Sequence, residues 1–238
     1  MAFAVMNLKQ EEAMPLDHQI LGQGVYTPRE AARLVGANAQ QVLRWTRGSG
    51  PTDPFLTAYY QFLDEDVTEI SFLDLIEVRV VSAMRRAGIS LQSIKFAISF
   101  AQDRLGLERP LISKSFKSDG TEILMDAIEN DGELVSLSRK RPGQKVFREI
   151  VSQSLNDLEY DGDNVVRWRP QRFSAVVIDP TRHFGDPILD EFGVSTSVLA
   201  EEFEIFSDEK YLSKIYDIPI KKIRVALGFE KSLDEVNG

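Results

Sequence analysis

The stretch YTPREAARLVGANAQQVLRW, residues 26–45, constrains the fold more than any other part of the chain. Thr27 is a capping residue type and Pro28 suits a first helical position. Ala31, Ala32, Leu34 and Val35 then recur at helical period until Gly36 stops them. Asn38 has the chemistry to cap a second helix, Ala39 to about Arg47, which the following GSGPTDP breaks. The spacing predicts two short helices around a tight Gly-Ala-Asn corner. In a helix-turn-helix of this kind the second helix enters the major groove of DNA. Val42 and Trp45 fall on the side that packs inward. Gln40, Gln41, Arg44 and Arg47 fall on the other face, with side chains suited to adenine, guanine or phosphate.

Charge narrows the reading. Residues 26–50 carry Arg29, Arg33, Arg44 and Arg47 against Glu30, a local +3 in a chain whose net charge is -9. A nucleic-acid surface on this protein is therefore a local patch on an acidic body. The same pattern also fits a helical hairpin whose arginines are solvated or paired with nearby carboxylates.

The chemistry of an enzyme is hard to assemble. There is no cysteine, which removes disulfides, thiolate catalysis and sulfur-ligated zinc. The two histidines, His18 and His183, are far apart and lie in no metal-binding spacing. Asp179, Asp186, Asp190 and Glu191 form an acidic cluster whose Asp-Pro and Gly-Asp-Pro contexts read as turns. No catalytic residue, metal or cofactor is expected. No apolar run approaches the roughly 18 to 20 residues that cross a bilayer, and the start of the chain lacks the order of a signal peptide, so the expected location is cytoplasmic.

The expected organisation is mainly α with short β segments, in four parts. Residues 1–23 form a loose arm, in which Phe3, Val5 and Met6 can pack on a partner chain. Residues 24–110 continue from the helical corner into a third helix opened by Ser71 and ending near Gly88. A fourth follows from Leu91 to about Leu105, capped by Ser90. In residues 111–172 the turn signals SDG and RPGQ separate β-compatible segments, so short strands are expected. A helix from about Glu149 to Leu158 and a strand VVRWRP stopped by Pro170 come next. Arg139, Lys140, Arg141, Lys145 and Arg148 around the Pro-Gly turn read either as a hairpin tip that grips phosphate or as a soluble turn. The seam is placed at Arg169 to Arg172. Residues 173–238 open on a strand and turns at Asp179-Pro180, Gly185 and Gly193. Three short helices close the chain: Val198 to about Phe203, Glu209 to about Ile215 with Ser207 as cap, and one opened by Ile218-Pro219.

Two resemblances bear on function. Residues 24 to 105 resemble the MerR-like winged helix-turn-helix regulators, whose third helix ends in R-x-x-G-[FIV]-S-L-x-x-I. Arg85, Gly88, Ile89, Ser90, Leu91 and Ile94 match that signature. The resemblance implies a DNA-binding set of Thr27, Arg29, Gln40, Gln41, Arg44, Arg47 and, from a wing, Tyr60. TRGSGPTDPFLTAYYQFL departs from the family's arginine-bearing wing, and the long coiled coil and cysteines of the metal sensors are absent, which argues against metal sensing.

The C-terminal block is similar to a small tri-helical unit of VapB-like antitoxins. Asp179, Pro180, Gly185, Pro187, Gly193, Ser207, Tyr216, Ala226, Leu227 and Phe229 fall on its pattern, while the usual arginine after the glycine-rich turn is missing. That resemblance implies a PIN-like ribonuclease toxin as partner, with a cleft of carboxylates that hold divalent metal. Lys221, Lys222 and Arg224 on the last helix are the candidates to meet it, or to meet phosphate instead. Together the two ends imply a DNA-binding antitoxin that represses its own operon, as a homodimer on a palindrome or as a toxin–antitoxin hetero-oligomer. The alternatives are a one-component regulator whose middle and C-terminal parts respond to a small molecule, and a pure protein-interaction module.

Overall fold

The computed structural model describes residues 21–48, 54–56, 58–62, 66–130 and 143–235. Phe3, Val5, Met6, His18, Arg139, Lys140 and Arg141 lie outside the described residues. Nine α-helices and five short strands occur among those that are described. They are α1 Pro28–Val35, α2 Ala39–Arg47, α3 Phe72–Arg86, α4 Leu91–Leu105, α5 Lys114–Asn130 and α6 Gly143–Leu155. Then follow β1 Leu158–Asp161, β2 Asn164–Trp168, β3 Val176–Ile178, β4 Pro187–Leu189 and β5 Val194–Ser195, and finally α7 Thr196–Phe206, α8 Glu209–Tyr216 and α9 Ile220–Glu235.

Helix α3 is the pillar of the first core. A capping box starts it, Ser71 with Asp74, and Phe72, Leu75, Ile76, Val78, Val80, Val81 and Met84 are buried along its length. Helices α1, α4 and α6 pack against it. Twelve of its fifteen residues are buried, Asp74, Glu77, Arg79 and Ser82 among them, so α3 is enclosed by neighbours on most of its circumference and its polar side chains need partners. Arg79, set in that run, is neutralised by Asp157 at 2.9 Å and stacks over the Trp168 ring at 4.2 Å.

The five strands form one antiparallel sheet in chain order, β1-β2-β3-β4-β5. Trp168 of β2 pairs with Ile178 of β3, so the sheet runs across the stretch Arg169 to Arg172 where a seam is expected. One face belongs to the first core through Val165, Trp168 and Ile178. A second core gathers Val176 and Leu189 with Leu199, Leu212, Ile223, Ala226 and Phe229 of the last three helices.

Three expectations are corrected. Residues 114–130 and 143–148 are helical, where short strands are expected; the helix expected from about Glu149 to Leu158 runs Gly143–Leu155, and β1 opens at Leu158. The Ser118-Asp119-Gly120 signal lies inside α5, because Phe116, Gly120, Ile123 and Leu124 recur at helical spacing on a buried face. Gly120 serves close packing there: a Cβ in its place would sit 3.1 Å from Val151 Cγ2 of α6. Arg148 is exposed on α6, so this part of the basic cluster is helix and not a hairpin tip.

Second, no strand pair stands as a wing between α2 and α3 among the described residues. A 3-10 turn at Tyr59–Phe62 and one isolated bridge, Tyr26 to Ile70, occupy that connection. Third, α8 is capped by Asp208, whose carboxylate accepts from the backbone N–H of Lys210 and Tyr211. Ser207 instead takes the left-handed conformation that ends α7, with φ 51°.

Candidate nucleic-acid interface

The helical corner forms as its residues dictate. Thr27 and Glu30 make a reciprocal capping box at the start of α1, and Gly36, at φ 64°, ends it in the left-handed conformation. Two residues later Asn38 and Gln41 make a second capping box that opens α2. Val42, Trp45 and Thr46 of α2 are buried, with the Trp45 ring 6.3 Å from Phe55. Gln40, Gln41 and Arg44 are exposed on the opposite side, and Arg29 is exposed on α1. These four side chains present donors and acceptors to solvent beside a net positive corner, the chemistry that base edges and phosphates accept.

Other members of the expected set have different surroundings. Thr27 spends its hydroxyl on the cap, donating to Glu30 Oε2 at 2.8 Å. Arg47 is half-buried and donates to the Asp66 carbonyl at 3.0 Å. Tyr60 is buried, and its hydroxyl donates to the Gly24 carbonyl, so it has no face to offer a phosphate. Burial and the neighbouring Asp74 raise its pKa well above the usual tyrosine value, which keeps that hydroxyl a donor. Arg33, counted in the local charge, turns away from the corner toward Glu230 and Asp234 of α9 at 2.6 and 2.9 Å.

The R-x-x-G signature residues each have a structural task. Arg85 donates to the Ile89 carbonyl, Gly88 takes φ 88°, Ser90 caps α4, and Ile89 and Ile94 are buried. The motif thus specifies the α3–α4 corner that supports α1 and α2 rather than a contact surface.

On α9 the basic candidates are offset by carboxylates. Lys222 lies 3.1 Å from Glu191 and Arg224 lies 2.7 Å from Glu209, while Lys221 is exposed. Next to them α7 and α8 expose apolar side chains: Val198, Ile205, Phe206, Tyr211 and Ile215, with the Phe206 and Tyr211 rings 4.7 Å apart. Clustered exposed apolar groups of this kind mark a protein-contact surface more often than a nucleic-acid one.

The turns of the C-terminal block are fastened by arginines that motif reading leaves out. Asp179 is buried and accepts from Arg167 Nε at 2.8 Å and from the Thr181 backbone at 2.9 Å. Asp190 is held by Arg169 and Arg182 at 2.7 and 2.6 Å, and these hydrogen bonds, Arg169 first, keep its pKa below the ordinary carboxylate value. Asp179 and Asp190 are engaged by these pairs, Glu191 meets Lys222 and Asp186 accepts from the Ser195 hydroxyl at 3.4 Å, and no group of three metal-ligating side chains occurs among the described residues. Tyr26, immediately before the α1 cap, is buried and donates to the Gly185 carbonyl at 2.9 Å, tying the helical corner to the C-terminal block.

No family model matches the chain. The chain is similar to a Mycobacterium tuberculosis protein named "Putative antitoxin VapB45", with 27% identity over 85% of this chain and 92% of that protein. Its fold is similar to the crystal structure of Rv2018 from Mycobacterium tuberculosis, at a TM-score of 0.69 and 25% identity, covering 85% of this chain and 96% of that one. No helix among the described residues is long and apolar enough to cross a membrane.

Proposed function

We propose that this chain is a cytoplasmic, non-enzymatic DNA-binding antitoxin. Residues 24–110 read operator DNA as a homodimer and repress the chain's own operon. Residues 173–238 bind and silence a PIN-like ribonuclease toxin. The observation that carries the DNA half is helix α2, anchored inward by Val42 and Trp45 and presenting Gln40, Gln41 and Arg44 outward. Net negative charge elsewhere limits non-specific attraction to the phosphate backbone. The toxin half rests on the likeness to the mycobacterial relative. It is supported by the exposed Tyr211 and Ile215 beside the basic start of α9, where Lys221, Lys222 and Arg224 can turn toward a carboxylate-rich cleft.

The test is co-expression of a tagged form with the product of the adjacent gene, followed by co-purification and a ribonuclease assay with and without this protein. A stable pair whose nuclease is silent is expected. No association, with an active nuclease in the presence of excess protein, removes the toxin half. Gel-shift titration on the upstream DNA, at fixed salt, tests the reading half separately.

A further inference from the structure

A cleft of about 340 Å³ lies behind the helical corner, between α1 and the C-terminal unit. Leu34 and the backbone of Val35 and Gly36 form one side. Trp168 and Pro170 form another, and Phe173, Phe229 and Leu233 the third. Phe173 and Phe229 meet edge to face with centroids 5.6 Å apart, so the aromatic wall is held by its own packing. Small-molecule sites are concave, largely apolar and of roughly 300 to 1,000 Å³, with a few polar groups that set orientation. This cleft has those properties.

Its charged groups are four arginines and one carboxylate, Asp157, which is engaged by Arg79 and by the Trp168 indole N–H. Arg33, Arg79, Arg86 and Arg172 line it. Arg79 is matched by Asp157 and Arg33 by Glu230. Arg86 and Arg172 have no carboxylate among the described residues. Arg86 Nη1 donates to the carbonyls of Val35 and Gly36 at 2.9 and 3.2 Å and to Ser82 Oγ at 2.9 Å. The Arg172 guanidinium sits 5.7 Å from the Phe173 ring centre. Partial desolvation, and then the like charge of Arg79, lower the Arg86 pKa, so an anion placed there would relieve both effects. A phosphate backbone makes little use of aromatic walls of this depth, whereas a planar carboxylate uses both the walls and the cations.

We propose that this cleft is a binding site for a small aromatic carboxylate. Its ring packs against Trp168, Phe173 and Phe229, and its carboxylate pairs with Arg86, with Arg172 closing the rim. The site rests on the cleft alone and stands whether or not a toxin partner exists. It also has a route to the DNA-reading helix. Arg86 holds the Val35–Gly36 turn from α3, so a ligand that draws its guanidinium away loosens the turn between α1 and α2. By linkage, DNA and ligand then alter each other's affinity by the same factor.

The experiment is calorimetric titration of the full chain with 2-naphthoate, with neutral 2-naphthamide and inorganic phosphate as comparison probes. The acid is expected to bind at least tenfold more tightly than the amide, and phosphate is expected not to displace it. Arg86→Gln should abolish the preference for the acid, Arg172→Gln should weaken the acid several-fold, and Lys214→Gln, on α8, should change nothing. Absence of naphthoate binding overturns the proposal, as does equal binding of acid and amide. Displacement by phosphate at similar concentration also overturns it, since it marks a general anion patch. Circular dichroism reports whether Arg86→Gln is folded; if it is not, the surface variant Arg172→Gln decides, and unchanged binding there overturns the site.

Discussion

Arg33 of α1 and Glu230 of α9, 197 residues apart in the chain, meet at 2.6 Å, and the Glu230 carboxylate also accepts from the Thr196 hydroxyl. Glu230 is buried, with its side chain 6% exposed, against 36% for Arg33. The pair fastens the helical corner to the C-terminal helices. Removing Arg33 leaves a buried carboxylate without its cation, while the partial exposure of Arg33 moderates the cost. Arg33→Gln should destabilise the chain by about 1 to 2 kcal/mol, below the range for fully buried pairs. Urea unfolding measures this. Operator affinity of the folded variant should stay within about twofold, since Arg33 faces away from the candidate DNA surface; a large loss of affinity without loss of stability would return Arg33 to the reading face.

The opposite signature is expected of Arg44. It is exposed on α2, so Arg44→Ala should change stability by less than about 0.5 kcal/mol. Operator binding should weaken by about 1 to 3 kcal/mol if its guanidinium is bidentate to guanine. Gel-shift titrations at matched salt read the second number. Unchanged affinity there would remove Arg44 from the recognition set.

Two glycines separate backbone strain from packing. Gly88 and Gly185 have φ 88° and 91°, so an alanine at either enters the left-handed region at a cost of about 1 to 2 kcal/mol. At Gly88 an added Cβ meets nothing within 4 Å, whereas at Gly185 it would lie 2.1 Å from the Tyr26 hydroxyl. Gly185→Ala should therefore exceed Gly88→Ala in destabilisation by about 1 to 3 kcal/mol, through displacement of Tyr26. Equal unfolding midpoints for the two variants would mean that the Tyr26 contact contributes little.

Glu77 sets a pH dependence. Burial pushes its carboxyl up from 4.5 to about 7, with Arg109 opposing and Asp74 and Glu108 adding to the rise. Between those values the folded chain keeps a proton that the unfolded chain has lost, so proton uptake favours folding. This contribution is complete below pH 4.5 and drains away as pH rises through 7. Wild-type stability should fall across that window by about 2 to 3 kcal/mol from this group. Glu77→Gln should flatten the fall. Thermal melts of both forms between about pH 5 and 8 give the slopes, and parallel slopes would exclude Glu77 as the source.

Local signals carried much of the fold. The caps Thr27, Asn38, Ser71 and Ser90, the stops at Gly36 and Gly88, and the inward Val42 and Trp45 are all legible because each depends on neighbours within one helical turn. So is the outward set Gln40, Gln41 and Arg44. The error over residues 114–130 has a local cause as well: Ser-Asp-Gly is a turn signal in isolation, and only the approach of Val151 makes Gly120 a helix-packing residue.

What the sequence by itself determined is the helices of residues 28–105 and of the last block and the polarity of their faces, since hydrophobic period and capping chemistry act over a few residues. The tertiary structure decided which charges remain available. It took Arg33 for Glu230, Arg79 for Asp157 and Arg109 for Asp74, buried Tyr60 under Gly24, and left Arg86 and Arg172 facing an aromatic cleft. Those pairings join residues far apart in the chain. A buried charge or hydroxyl is satisfied by whatever packing brings within about 3 Å, and sequence spacing holds no record of that distance.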